Sequence, residues 1–277
     1  ERVGGIDVKE AKFSGTLVIQ FVEASSANEN GDLVARALGT CTRHERKAAR
    51  DAGKYSEIKT HEYSAEDFAK IDNAILNEEK NMRGNNVRYW DEVQEGEELP
   101  EIVRGPLSLM DTMGFLVGSG RGHTHGVIFK NAVKHPGHFF RNPEAGGGIE
   151  YTGIGHHRES TAKEVGVPGV YDYGPQRSSW MASLVTNWMG DAAFLKRVRT
   201  QMRGFNIMGD CTWARGKVTR KYVKDGHALV DIEIRGENQR GELTTPGLAT
   251  VLLPSLNPQH KVFFDGRNCD LELPVVR

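Results

Sequence analysis

An internal repeat constrains the fold of this chain more than any other feature of its sequence. Residues 17–40 and 228–250 each contain a strand-like stretch, an Asn-x-x-Gly turn, an acidic residue and a second strand-like stretch. Asn and Gly at this spacing are typical of tight turns that join antiparallel strands. Another strand-like segment precedes each hairpin, at residues 5–9 and 213–223. The sequence therefore predicts two three-stranded antiparallel meanders.

Helical segments separate the two meanders. Ser64 and Asp67 form the sequence pattern of a capping box, and apolar residues follow them at helical spacing. We interpret this helix as part of a connector over residues 63–88. Two shorter helices are predicted over residues 109–117 and 159–165.

The strongest helical pattern covers residues 175–189. Five large apolar side chains share one face of this segment: Trp180, Met181, Leu184, Val185 and Trp188. Pro175 suits the first turn of a helix, and Gly190 suits the position just after its last turn. The pattern predicts a helix with one face packed against the core.

The segment of residues 121–155 has a different character. It contains three consecutive glycines from residue 146, two prolines and four histidines, and it shows little periodicity. We expect a long loop or lid here. The histidines are His123, His125, His135 and His138. Close histidine pairs occur in zinc sites, but no established zinc motif is matched, so we interpret them as loop residues near a binding pocket and predict no metal.

Charge and cysteine content exclude several classes of protein. The 36 basic and 37 acidic residues almost cancel, so no overall charge attracts the chain to nucleic acid or to an anionic membrane. Cys41, Cys211 and Cys269 are scattered and odd in number, which favours reduced thiols in a cytoplasmic protein. No stretch approaches the roughly 18 apolar residues of a membrane span.

Two sets of residues carry a resemblance to a known family. The first lies before and at the start of the predicted long helix: Ile154, His156, Ala162, Gly166, Pro168 and Gly174. The second lies in the later meander: Gly209 with Asp210, residues 238–242 and residues 247–254. At these spacings the chain resembles the MaoC-like acyl dehydratases and (R)-specific enoyl-CoA hydratases.

The resemblance implies an α+β double hot-dog fold, in which an antiparallel sheet wraps a central helix. Residues 1–62 then form the C-terminal part of a degenerate first hot-dog. Residues 63–88 are the helical connector, and residues 89–277 form a second, MaoC-like hot-dog with the long loop at 121–155. No counterpart of the central helix precedes the first meander. We therefore expect that the chain is truncated or that a partner chain supplies the missing part.

The same resemblance implies a reaction and assigns residues to it. These hydratases add water to a trans-2-enoyl-CoA with an Asp and a His five positions apart, and amide groups at the start of the central helix stabilise the thioester oxygen. His156 occupies the histidine position, Gly174 stands at the helix start, and Ser179 matches a serine that hydrogen-bonds in the active site. Outside this context they would be a loop histidine, a turn glycine and a helix serine.

The expected Asp is missing. Tyr151 stands five residues before His156, and the other place where the family's Ser-Gly-Asp aligns contains an arginine at residue 121. Glu150, Asp172 or Tyr151 are candidates to replace the lost acid, and the sequence does not choose among them. Loss of hydratase activity is therefore an open alternative.

Basic residues suggest how coenzyme A is held. Arg177 lies in the first turn of the predicted helix, where a cation is unfavourable for structure alone, so we expect it to contact a phosphate. Tyr173, next to Gly174, joins Arg177 and Ser179 among the expected substrate-binding residues. The basic group Lys196, Arg197, Arg199 and Arg203 is interpreted either as a second phosphate contact or as a solvated helix face.

We therefore expect an enoyl-CoA hydratase or acyl dehydratase for a bulky or branched acyl group. Coenzyme A enters as part of the substrate, and no separate cofactor is expected. The alternatives are a non-catalytic subunit of a hydratase heteromer and a hot-dog thioesterase. The fold further implies a homo-oligomer or a heteromer with another hot-dog chain.

Overall fold

The computed structural model describes residues 2–11, 15–44, 51, 55, 58–119, 125–151, 153–164 and 166–261. The chain forms two compact units, the first built mainly from residues up to 57 and the second mainly from residues 58–262. Cys269 and His123 lie outside the described residues.

The first unit contains one three-stranded antiparallel sheet. Its strands are β1 (Arg2–Ala11), β2 (Gly15–Ala27) and β3 (Leu33–His44), in the order β1-β2-β3. β2 pairs with both neighbours over most of its length. The first predicted meander is therefore confirmed.

Among its described residues, the second unit contains a five-stranded antiparallel sheet, a small two-stranded sheet and five α-helices. The strands are β4 (Glu98–Arg104), β5 (Phe139–Asn142), β6 (Gly148–Tyr151), β7 (Phe194–Thr200), β8 (Thr212–Lys224), β9 (His227–Asn238) and β10 (Leu243–Leu252). The helices are α1 (Ala65–Asn81), α2 (Leu109–Gly118), α3 (His125–Lys134), α4 (Glu159–Glu164) and α5 (Gly174–Met189). The large sheet has the order β4-β8-β9-β10-β7, so β8, β9 and β10 form the second predicted meander.

α5 packs against the concave face of the five-stranded sheet. Met181, Leu184, Val185 and Trp188 of α5 are buried, and they form one core cluster with β9 residues such as Ile232. On β9 the buried residues alternate with more exposed ones, as expected for a strand with one face on the core. A sheet wrapped on a central helix is the hot-dog arrangement expected for this half of the chain.

The other predicted helices also begin where the sequence predicts them. Asp67 accepts a hydrogen bond from the Ser64 backbone N–H at 3.0 Å, and its own N–H donates to Ser64 Oγ at 3.2 Å, which completes the capping box of α1. α1 packs on β4 in the second unit, where Arg104 forms an ion pair with Glu78 at 2.6 Å. Among the described residues, no helix is both long and apolar enough to cross a membrane.

The first Asn-x-x-Gly turn joins β2 to β3. The Asn28 side-chain oxygen accepts hydrogen bonds from the backbone N–H groups of Asn30 and Asp32, at 3.0 and 2.9 Å. Gly31 has a φ of +85°, in the region that favours glycine. The Asn side chain thus takes up the backbone donors of its own turn.

The second turn, between β9 and β10, repeats these bonds. The Asn238 side-chain oxygen accepts from the backbone N–H groups of Arg240 and Glu242, both at 3.0 Å. Gly241 has a φ of +77°. The sequence repeat is therefore a repeat of turn geometry, which supports the duplication of the meander.

The prediction of a long loop over residues 121–155 is wrong for most of the segment. It contains α3 and a hairpin of β5 and β6, in which Phe139 pairs with Tyr151. Each of the two strands is only four residues long, too short for an alternating pattern to appear in the sequence. The glycines that suggested a loop lie in and beside the turn of this hairpin.

Gly247 of β10 gives a test of how closely the sheet is packed. An added Cβ would lie 2.5 Å from the Arg199 carbonyl oxygen and 2.9 Å from Ile234 Cγ1. We expect Gly247→Ala to lower the free energy of unfolding by about 1–3 kcal/mol, as overpacking does. Gly114 of α2 has open space around it, so Gly114→Ala should leave stability unchanged or raise it by up to ~1 kcal/mol. Urea denaturation compares the two, and equal midpoints would contradict the packing.

Candidate active site

His156 lies in a short 3-10 turn before α4, and its ring is fixed on two sides. Its Nδ1 lies 3.0 Å from the Tyr171 carbonyl oxygen, which can only accept, so Nδ1 carries the proton and Nε2 carries the lone pair. The imidazole stacks on the Tyr173 ring with 3.9 Å between centroids and also contacts the Tyr171 ring at 4.3 Å. The ring is therefore held as a neutral base with a defined tautomer.

Burial lowers the pKa of His156 below its ordinary value of 6.5. Hydrogen bonds with the backbone of Tyr171 and Asp172 act in the opposite direction but do not outweigh the loss of solvent. A lowered pKa keeps the imidazole unprotonated at neutral pH, which is the form that accepts a proton.

The stacked ring places His156 at the start of the central helix. Tyr173 is the N-cap residue of α5, and Gly174 is the first helical residue, as expected. The Gln176 side chain accepts from the Tyr173 backbone N–H at 3.3 Å and donates to the Asp111 carbonyl oxygen at 3.0 Å, which ties this turn to α2. The first turn presents amide N–H groups and the positive end of the helix dipole, a setting that favours a developing oxyanion.

His157 is a member of this cluster that the sequence predictions missed. Its Nε2 lies 2.6 Å from the hydroxyl oxygen of Tyr173. Burial lowers the pKa of His157, the neighbouring His156 lowers it further, and Glu150 raises it. The structure thus brings His156, Tyr173 and His157 into one contiguous group. The sequence signal for His157 was its position directly after His156.

The three candidates for the missing acid have other partners. The Glu150 carboxylate accepts from Arg158 at 2.7 Å and from Asn142 at 2.6 Å. Tyr151 packs edge-on against a phenylalanine of β5 and is 54% exposed. Among the described residues, no hydrogen bond joins the side chain of Glu150, Tyr151 or Asp172 to the His156 imidazole.

Asp172 forms a buried, bidentate ion pair with Arg177. Arg177 Nε and Nη2 donate to the two carboxylate oxygens at 2.7 and 2.5 Å. Burial raises the pKa of Asp172, and the Arg177 guanidinium opposes that rise. Asp172 is 2% exposed, so its carboxylate lies in the interior of the protein.

A solved structure shares this architecture. A MaoC-like dehydratase aligns with 92% of this chain and 66% of its own length, with 18% identity and a TM-score of 0.51. The chain has the fold of a MaoC-like dehydratase. A MaoC domain dehydratase from Chloroflexus aurantiacus aligns with 92% of this chain and 69% of its own, at 13% identity and a TM-score of 0.49. An unliganded (R)-hydratase from Pseudomonas aeruginosa aligns over 60% and 86%, at 15% identity and a TM-score of 0.44. No protein-family model and no curated protein sequence matches the chain.

Within the MaoC-like fold, the expected coenzyme contacts are placed differently from the sequence hypothesis. Arg177 is 2% exposed and its guanidinium also donates to the Gly204 carbonyl oxygen at 2.9 Å, so its described hydrogen bonds are made within the protein. Ser179 Oγ donates to the Pro175 carbonyl oxygen at 2.9 Å, a bond within the helix. Lys196, Arg197 and Arg199 lie on β7, and Arg203 follows it, so the interpretation of this group as a helix face is wrong.

The histidine-rich segment is only partly described. His135 and His138 stack with 5.9 Å between ring centroids. In the described part of the chain, no group of three His, Cys, Asp or Glu side chains has the arrangement of a metal site. The side chains of the two earlier histidines lie outside the described residues.

The Arg177–Asp172 pair gives a prediction that separates an internal role from a coenzyme contact. Arg177→Met leaves a buried carboxylate without its cation, so we expect the free energy of unfolding to fall by about 3–5 kcal/mol. The double variant with Asp172→Leu removes the orphaned charge and should recover much of this loss. Urea denaturation measures both. A fully stable Arg177→Met variant with weakened coenzyme A binding would instead support the phosphate contact.

Proposed function

We propose that the protein catalyses the reversible hydration of a 2-enoyl-CoA thioester to the 3-hydroxyacyl-CoA, as a cytoplasmic lyase. The observation that carries this proposal is the neutral, partly buried imidazole of His156, fixed against Tyr173 at the N-terminus of the central helix. This arrangement places a proton acceptor beside a site for a developing negative charge. Hydration of an enoyl thioester requires both.

The chemistry follows from this juxtaposition. His156 Nε2 accepts a proton from water while the water oxygen forms a bond to C3 of the substrate. The electron pair of the C2–C3 double bond moves toward the thioester carbonyl, whose oxygen becomes an enolate. The Gly174 amide and the first turn of α5 stabilise that oxygen. A proton delivered to C2 then completes the addition of water.

The surface beside the site supports a bulky or branched acyl group. Phe115 of α2 lies 5.7 Å from the Tyr173 ring, between centroids. Leu116, the next residue of α2, is also partly buried. An apolar helix face next to the reacting groups offers an acyl chain a surface on which to bury its methylene groups.

A second candidate function is that of a non-catalytic subunit in a heteromer with another hot-dog chain. The pairing of Glu150 and Asp172 with arginines favours it, because these carboxylates are engaged in ion pairs. A third candidate, a hot-dog thioesterase, would release free coenzyme A. The three candidates differ in product and are therefore separable in one assay.

The assay uses the full chain with crotonyl-CoA and trans-2-decenoyl-CoA, following loss of the enoyl absorbance and release of thiol separately. We expect hydration without thiol release. His156→Ala should reduce kcat/KM by about 100-fold or more, since a general base contributes that much. Because the pKa of His156 lies below 6.5, activity should persist as pH falls to that value and decline only at lower pH, where the imidazole becomes protonated.

His138→Ala, in the exposed histidine segment, serves as the matched control and should behave like the wild type. Thiol release without hydration would instead establish the thioesterase. If the protein is folded and forms neither product, the result would support the role of a non-catalytic subunit.

The acyl surface is tested by Leu116→Glu. A carboxylate on this face should lower kcat/KM for the decenoyl thioester by about tenfold or more, because each buried methylene contributes roughly 0.8 kcal/mol. The change for the crotonyl thioester should stay within about threefold. Leu76→Glu, an equally apolar but remote position that is 75% exposed on α1, is the control. Equal losses for the two substrates would place the acyl chain elsewhere.

A further inference from the structure

The proposed hydration uses a second proton-transfer group, and no aspartate stands at the expected position five residues before His156. His156 takes one proton from water, but another proton must reach C2. Glu150 is held by Arg158, and Asp172 is held by Arg177. Among the described residues, the candidates for the second group are therefore the other side chains that contact His156 or its neighbours.

Tyr173 and His157 meet that requirement. The Tyr173 ring stacks on the His156 imidazole at 3.9 Å, and its hydroxyl oxygen lies 2.6 Å from His157 Nε2. Tyr173 is also the N-cap residue of α5, so its backbone adjoins the amides proposed to hold the enolate oxygen. One side chain thus borders the base, the oxyanion site and a second imidazole.

We propose that the hydroxyl of Tyr173, hydrogen-bonded to His157, is the second acid–base group of this site and takes the place of the family's aspartate. This inference rests on the proposed hydration. Tyr173 is the catalytic residue, and His157 is a positioning residue that acts through it. With its proton on Nε2, His157 donates to the phenol oxygen, and the phenolate left after proton transfer keeps that short hydrogen bond.

The protons balance over one turnover. Water gives its oxygen and one hydrogen to C3, and its other proton goes to His156. Tyr173 gives its phenolic proton to C2 as the enolate collapses to the thioester. His156 then holds one extra proton and Tyr173 lacks one. Exchange with solvent restores both, so the net reaction is the addition of one water molecule.

The charges around the pair are compatible with this role. Glu150 lies near enough to His157 to raise its pKa, and the Arg158 guanidinium neutralises much of that carboxylate at 2.7 Å. His156, on the other side, favours the neutral form of His157. A neutral imidazole next to a neutral phenol leaves the proton on the phenol until it is transferred to C2 of the substrate.

The test uses four variants of the full chain with the same two enoyl thioesters. Tyr173→Phe keeps the ring that stacks on His156 and removes only the hydroxyl. We expect kcat to fall by about 100-fold or more, with KM changed by less than about threefold, and the alkaline limb of the pH profile to disappear. Tyr222→Phe, which removes a hydrogen-bonded hydroxyl on β8, is the matched control and should leave kcat and the pH profile unchanged.

His157 is tested by two substitutions that differ in one property. His157→Leu removes the donor to the phenol oxygen, so the alkaline limb should move up by about one pH unit and kcat should fall about tenfold. His157→Gln keeps an N–H donor and should recover most of both changes. A merely structural role for His157 would not move the alkaline limb.

The outcomes separate this inference from the proposed function. An active wild type with a Tyr173→Phe variant within about threefold of it overturns the role of Tyr173 and leaves the hydratase intact. Equal pH profiles for His157→Leu and wild type overturn the role of His157. A wild type that hydrates neither thioester overturns the hydratase proposal and this inference with it. The tyrosinate absorbance of the wild type and of His157→Leu is also titrated without substrate. Subtracting the titration of Tyr173→Phe isolates the signal of Tyr173 and checks that the Leu substitution raises the pKa of its phenol.

Discussion

The buried pair between Asp172 and Arg177 is the interaction on which the geometry of the site depends. Asp172 lies between Tyr171, whose carbonyl oxygen fixes the His156 tautomer, and Tyr173, on which that ring stacks. Arg177 belongs to the first turns of α5 and also binds the backbone at Gly204, so it joins the site segment to the central helix and to the chain after β7. A buried ion pair contributes little net stability, but removal of one member is costly. We infer that its main contribution is to hold three consecutive residues in register with the helix.

That register determines what the helix N-terminus can do. α5 is anchored through Met181, Leu184 and Trp188 against a sheet whose strands pack closely enough to exclude a Cβ at Gly247. This packing holds the helix on the sheet and so positions its first turn. A dipole or amide is useful for catalysis only when it is preorganised. The apolar core and the Asp172–Arg177 pair therefore both help to fix the position of the first turn of α5.

The sequence predicted the features that depend on local periodicity and turn chemistry. The capping box at Ser64, the two Asn turns and the apolar face of α5 follow from residues a few positions apart, and all were confirmed. Short strands were not predicted, because four residues of β5 carry no usable alternation. The partner of Arg177 was also missed. Asp172 precedes the helix by two residues, so the three- and four-residue spacing of helical neighbours did not reveal the pair.

The contact between His157 and Tyr173 could not be predicted from local sequence patterns. The two residues are 16 positions apart, and a turn, α4 and a loop separate them, so only the tertiary structure brings them together. In the proposed site, a phenol stands beside the partly buried imidazole where a carboxylate was expected. A phenol restores a transferable proton without adding a second buried charge, which burial would disfavour. An acid that is neutral in its resting state fits an apolar environment better than a carboxylate does, and here the second histidine provides the hydrogen bond that such an acid needs when it ionises.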